Sequence, residues 1–96
     1  MLVAELSDAI VGLVSYRLDH QRQIGTIGNN GVDPRFQGRG IGTRMYERVL
    51  EICRDAGMRF AEVTTGSGDE ASRARRTYER VGFRPLTTSI RYFREL

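Results

Sequence analysis

A chain of 96 residues, 28% charged and 40% hydrophobic, has the size and balance of one globular domain and no room for a second core. It holds no apolar run near the ~20 residues of a membrane helix, and its N-terminus lacks the basic region and apolar core of a secretory signal, so a cytoplasmic location is the default expectation. One cysteine excludes an internal disulfide and, with one histidine, a Cys/His zinc cluster.

In chain order, Leu2 to Leu6 and Ile10 to Leu18 read as two strands around a Ser7-Asp8-Ala9 turn. Gly12 marks a bulge or a point of close packing in the second, and Cys53 further on is most simply a core residue. After a polar loop from Asp19 to Gln23 comes Ile24 to Val32, a poor strand by propensity, with three glycines and two asparagines. Glycine inside a strand marks a bulge or a place where a ligand meets the backbone. The alternative is a weak edge strand whose polar residues face water.

Val32-Asp33-Pro34-Arg35-Phe36-Gln37-Gly38-Arg39-Gly40-Ile41-Gly42 follows, and Ile41, Met45, Val49, Ile52, Cys53 and Ala56 then recur at helical spacing. Glycines 38, 40 and 42 therefore sit where a strand becomes a helix. Free backbone N–H groups and the positive end of the helix dipole favour an anion there. Missing side chains let a phosphate approach, and Arg39 can add a charge from the rim. A dinucleotide fingerprint does not fit, because Thr43 stands where its third glycine belongs. A P-loop does not fit either, since the chain has no lysine. The bland alternative is a glycine-rich turn before a surface helix.

The helix Gly40 to Ala56 stops at Gly57, and Arg59 to Thr65 reads as a strand, so strand, helix and strand imply a right-handed parallel crossover. In the loop that follows, Asp69 or Ser67 is the expected cap of a helix that puts Ala71, Ala74, Tyr78 and Val81 on one face and ends at Gly82. Thr87 to Phe93 alternates like a terminal strand. A tyrosine such as Tyr78 on an apolar helix face is by itself an ordinary core residue.

Gln37-x-x-Gly40-x-Gly42 after Val32-Asp33-Pro34 resembles the acetyl-CoA signature of the GNAT acetyltransferase superfamily, (Arg/Gln)-x-x-Gly-x-(Gly/Ala). Ala74, Tyr78, Gly82 and Phe83 are similar to the Ala-x-x-x-Tyr-x-x-x-Gly-Phe that ends a later helix in that family. The resemblance implies that the diphosphate of acetyl-CoA lies on Gln37, Gly38, Arg39, Gly40, Ile41, Gly42 and Thr43. It implies that Val32 and its neighbours on a bulged strand hold the pantetheine and polarise the thioester, and that Tyr78 protonates the departing thiolate. No metal is implied. Two places depart from the family pattern: Ala71 replaces a cofactor-contacting asparagine, and Gly28, Asn29 and Asn30 stand where the bulged strand carries an acidic residue, leaving a water ordered by Asn29 or Asn30 as proton relay. The family's opening strand and two helices also have no counterpart, so residues 2–96 match the last two-thirds of its fold.

The expected fold is therefore α/β (α+β): a GNAT-like mixed sheet, N-terminally truncated, with an antiparallel meander followed by β-α-β-α-β as one acetyl-CoA-binding domain over residues 1–96. The expected function is transfer of an acetyl group to the amine of a small molecule or peptide, away from membranes. With Val11, Leu13 and Val14 of the first hairpin partly uncovered, a homodimer exchanging Thr87 to Phe93, or completion by another chain, is expected. Two alternatives stay open. One is a CoA- or acyl-CoA-binding module without catalysis. The other is a nucleic-acid-binding protein, prompted by fifteen basic residues, all arginine, and a net charge of +3. Acidic residues interleaved with the arginines disfavour it.

Overall fold

Alternating apolar side chains build three strands, β1 (Leu2–Leu6), β2 (Ala9–Asp19) and β3 (Ile24–Val32), paired antiparallel in that order. The computed structural model describes residues 1–96 apart from Ser7. The expected Ser7-Asp8-Ala9 turn therefore lies partly outside the described residues, and Asp8 takes a left-handed φ of 67°. Between β2 and β3 the Asp19 carboxylate accepts the N–H groups of Gln21 and Arg22 at 3.1 and 3.0 Å, an Asx-type turn. Helix α1 (Ile41–Asp55) crosses over to β4 (Phe60–Val63), which lies parallel to β3 in the sheet order β1-β2-β3-β4. Helix α2 (Ser72–Arg80) follows a one-turn 3-10 segment at Asp69–Ala71.

One face of this sheet is the core. Val14 and Ile27 meet Met45, Tyr46, Val49 and Cys53 of α1, with Met58 and Tyr78 completing the cluster. The buried positions of α1 fall on one stripe, as its spacing predicts, and Tyr46 joins them. Two glycines make this approach possible. A Cβ at Gly12 would lie 3.2 Å from the Met45 side chain, and one at Gly25 would come closer to the Cys53 sulfur than real Cβ atoms do. Burial pushes the Cys53 thiol above its ordinary range, so it stays a neutral core group.

Both expected bulges are present. Ala4 pairs with Gly12 and Glu5 with Ile10, leaving Val11 extra in β2; Val14 pairs with Asn30 and Tyr16 with Ile27, leaving an extra residue in β3 at Gly28–Asn29. The hairpin corrects one expectation. Val11 and Val14 are 3% and 0% exposed; α1 covers Val14, and the Val11 carbonyl takes the Asp33 N–H at 2.7 Å. Leu13, on the alternate face, is 41% exposed.

Two further expectations change. The helix ending at Gly82 is capped by neither Asp69 nor Ser67: Gly68 precedes the 3-10 turn and Ala71 precedes α2. Its loop is held instead by Arg75, whose Nη1 donates to the carbonyls of Gly66 and Gly68 at 2.7 and 2.8 Å. The terminal strand Thr87 to Phe93 does not form; residues 84–96 are neither helix nor strand, and the expected β-α-β-α-β stops at α2. Alternation shows that a segment can pair but not which edge receives it, and the neighbouring β4 offers only four residues. Leu86, Ile90, Tyr92 and Phe93 are left exposed.

The contact at Gly25 makes a prediction. Gly25→Ala should destabilise the fold by about 1–3 kcal/mol, the usual cost of overpacking a filled core. Adding Cys53→Ala should return part of that loss, since it removes the colliding sulfur. Thermal or urea unfolding of the two single variants and the double variant measures it, and additive losses would contradict it.

Candidate functional site

At the end of β3, Asp33 opens a single 3-10 turn (Pro34–Phe36) by accepting the Arg35 N–H at 2.9 Å. The Arg35 guanidinium adds an ion pair at 2.9 Å, and this bonding holds the Asp33 carboxyl below its ordinary range. The turn swings the chain away from the sheet, and Gln37 ties it back: its Nε2 donates to the Val32 carbonyl at 3.2 Å. Its Oε1 accepts Arg73 Nη1 at 2.7 Å, so the same side chain joins the loop to α2.

Gly40 then begins α1 with φ 79°, a left-handed conformation that costs glycine little and other residues more. No side chain caps this terminus, and no acidic residue lies in its first turn. The first bond into the helix runs from the Arg44 N–H to the Gly40 carbonyl at 3.1 Å. Among the described residues, no protein acceptor takes the N–H groups of Gly38 through Thr43. A Cβ on Gly40 would meet nothing within 4 Å, so the backbone here stands open. Unpaired donors, a helix dipole and an open approach suit a diphosphate.

These groups border a cavity of about 540 Å³. Val32, Gln37, Gly38, Gly40, Ile41, Gly42 and Thr43 line it together, so seven of the expected cofactor residues share one space. Arg39 does not join them; its guanidinium lies 5.1 Å over the Phe36 ring. Across the cavity stand Arg73, Arg76, Thr77 and Arg80 of α2, with Glu70 in the 3-10 turn before it. The loop reading passed over those arginines. The signal was present, since residues 73, 76, 77 and 80 share one helical stripe beside the apolar one at 74, 78 and 81.

Tyr78 is set back from the cavity wall, 6% exposed. The Gly82-Phe83 pair explains how it is held. Gly82, at φ 101°, lets its N–H bond the Glu79 carbonyl at 3.1 Å while the Phe83 N–H bonds the Tyr78 carbonyl at 3.0 Å, a Schellman ending. The Phe83 ring then meets the Tyr78 ring edge-on at 6.1 Å, and Tyr46 packs on it at 5.0 Å. Asn30 reaches both phenols: its Nδ2 donates to the Tyr78 hydroxyl at 3.1 Å and to the Gly28 carbonyl at 3.2 Å, and its Oδ1 accepts the Tyr46 hydroxyl. Burial, and then the Tyr78 phenol beside it, push the Tyr46 hydroxyl above the ordinary tyrosine range, so Tyr46 remains a protonated donor. The Asn30 amide is thus occupied by protein partners and is a poor holder for the water expected of it; Asn29 is exposed.

Known proteins match the chain over most of its length. The acetyltransferase (GNAT) family model matches residues 1–83. The chain belongs to the GNAT acetyltransferase family. Mycothiol acetyltransferase of Beutenbergia cavernae is 39% identical over 62 residues, which are 65% of this chain and 20% of that protein. N-alpha-acetyltransferase RimI of Mycobacterium tuberculosis is 41% identical over 64 residues, 67% of this chain and 37% of that one. The chain spans well under half the length of these curated relatives. A solved Bacillus subtilis acetyltransferase in complex with CoA has the same fold, with a TM-score of 0.79 at 22% identity over 88% of this chain and 54% of that one. In this GNAT chain no helix among the described residues is long and apolar enough to cross a membrane.

Proposed function

We propose that this GNAT chain, as one domain over residues 1–96, transfers an acetyl group from acetyl-CoA to an amine. The observation that carries the reading is the row of unpaired N–H groups from Gly38 to Thr43, facing three arginines across an open cavity. Acetyl-CoA as substrate brings the activated thioester and several negative charges. The chain binds and orients it: the amides of Gly38 to Gly42, with Thr43, take the diphosphate beside Gln37, whose own N–H bonds the Pro34 carbonyl at 3.5 Å, and Arg39, stacked on the cavity-lining Phe36, adds charge from the rim. Arg73, Arg76 and Arg80 add positive potential from the facing wall, in a site too open for strong desolvation. Beyond Ile27 the β3 strand has left β4, so the amide of Val32 and its neighbours can polarise a carbonyl as an oxyanion hole does. Tyr78 supplies a proton to the departing sulfur.

The acceptor is the amine of a small molecule or a peptide. RimI is named for N-alpha acetylation and a structural neighbour for aminoglycoside acetylation, which supports a test panel of a peptide with a free α-amine and an aminoglycoside. We place this work in the cytoplasm, away from membranes, since the lone buried cysteine asks for no oxidising compartment. A second reading, a CoA- or acyl-CoA-binding module without catalysis, is favoured by one observation: no carboxylate stands on the β3 bulge to take the amine's proton. Acetyl-CoA binding without acetylation across the panel would support the module.

Assembly is part of the proposal. The uncovered sheet face exposes Val3, Leu13 and Phe60, β4 has an open edge, and the apolar residues of 86–96 touch little. A second copy of the chain, or another polypeptide, covers them. Sedimentation at low micromolar concentration should show a dimer or larger species, and a stable, cooperatively unfolding monomer would refute this.

Two substitutions test the chemistry. Gly40→Ala should weaken acetyl-CoA binding by about 1–3 kcal/mol, the worth of hydrogen bonds to a charged group. Gly57→Ala is the control, because Gly57 has the same left-handed geometry (φ 86°) and does not border the cavity. Calorimetric titration should show normal affinity in the control, and equal affinity in both would sink the cradle. Tyr78→Phe keeps ring and packing, so it should fold, bind acetyl-CoA, and acetylate ~10²–10⁴-fold more slowly. Full turnover would return Tyr78 to a core role.

A further inference from the structure

Asn30 stands where three elements converge. It sits on β3 just past the Gly28–Asn29 bulge, opposite Val14 of β2, and its side chain reaches one tyrosine on α1 and one on α2. Both amide groups are used. Nδ2 spends one hydrogen on the Gly28 carbonyl at 3.2 Å and the other on the Tyr78 oxygen at 3.1 Å, while Oδ1 accepts the Tyr46 hydroxyl. An amide has two hydrogens and an acceptor oxygen, so this set of partners fixes which way it faces.

The direction of the bond to Tyr78 has a chemical consequence. The Tyr78 oxygen receives a hydrogen from Asn30, so its own O–H is not spent on that bond. A carboxylate in the place of Asn30 would do the opposite and hold the proton. Tyr46 reinforces the arrangement, since its donation to Oδ1 polarises the amide and strengthens Nδ2 as a donor. Because burial keeps Tyr46 protonated, this donation persists through the neutral range.

We propose that Asn30 is a positioning residue for the acetyl transfer: by donating to the Tyr78 oxygen and accepting from Tyr46, it turns the Tyr78 O–H toward the cavity and supports the oxygen as its proton leaves. The proposal rests on Tyr78 acting as proton donor. Asn30 borders the cavity and Tyr78 lies behind it, which accounts for how a tyrosine 6% exposed has its hydroxyl directed at all. The bulge is part of the device. The Gly28 carbonyl fixes the second Nδ2 hydrogen, and a regular strand would turn residue 30 to the other face.

Two measurements test it. The first needs no turnover: the side-chain amide resonances of Asn30 are followed by NMR in the native chain and in Tyr78→Phe. The proposal expects one Nδ2 hydrogen to shift clearly when its acceptor oxygen is removed; resonances indifferent to Tyr78→Phe overturn it. The second is kinetic, with acetyl-CoA and whichever panel amine is acetylated fastest. Asn30→Leu, close in size and without a donor, should lower kcat at least tenfold and leave KM for acetyl-CoA within about twofold. The double variant Asn30→Leu/Tyr78→Phe should be no slower than Tyr78→Phe alone, because Asn30 acts only through that hydroxyl. Native kcat in Asn30→Leu, or effects that multiply in the double variant, overturns the proposal. If Asn30→Leu does not fold, the NMR arm decides alone. If Tyr78→Phe keeps full turnover while the Asn30 resonances shift, the bond is real and the proton-donor reading of Tyr78 is what has failed.

Discussion

A strand that outruns its neighbour is left with one unpaired edge, and β3, which runs on after β4 ends, is that strand. It is paired with β2 over most of its length and with β4 only from Ile24 to Ile27. From Gly28 to Val32 one edge is open, and polar backbone in such a place must be met by water, a side chain or a ligand. Each component of the site sits against this opening. The bulge falls at its start, Asn30 fills its middle, and Val32 ends it where the glycine loop departs. Helix α1 leaves from one side and α2 comes to rest on the other, so the cavity lies between them, beyond the stretch where β3 and β4 pair.

Closure of that space depends on small residues at a few points. Met45 and Cys53 reach β2 and β3 because Gly12 and Gly25 carry no side chain where α1 presses on them. Removing side chains from a strand weakens it, which is why Ile24–Val32 reads as a poor strand. It is a strand nonetheless, since β2 supplies a complete partner and α1 buries Ile27. Tertiary packing outweighs local propensity here.

Much of the frame was legible for physical reasons that act locally. Helix ends are set by backbone geometry, so Gly57 and Gly82 marked the two Schellman endings, and the glycine cluster at 38, 40 and 42 marked an uncapped start. Strand pairing of the meander followed from short loops and alternation. What escaped is what depends on distant partners. Asp69 had the right chemistry to cap a helix, but Arg75 holds the loop through carbonyls nine and seven residues before it. The segment Thr87 to Phe93 has the alternation of a strand and finds no edge within the chain. Tyr46 lies outside the apolar spacing at 41, 45, 49, 52, 53 and 56, and its burial follows only once Asn30 and Tyr78 are placed beside it.

Helix α2 shows how a short element carries two tasks at once. Nine residues, with arginines at 73, 75, 76 and 80, would not form a stable helix alone. Its order comes from burial of Tyr78, packing of Ala74 and Val81, and the Gly82 ending. These apolar positions and the Arg73-Arg76-Arg80 row fall on neighbouring stripes, because residues three and four apart return to nearly the same side. The charged row can therefore face the cavity without entering the core, and each guanidinium keeps its access to water. The same geometry forces a choice on any attempt to move the tyrosine. Shifting it one position back, to the place of Thr77, would rotate the ring by about 100°, onto the cavity wall beside the arginines and away from Asn30. Location of the phenol, direction of its proton and the charge on the cavity wall are thus set together by the phase of one helix.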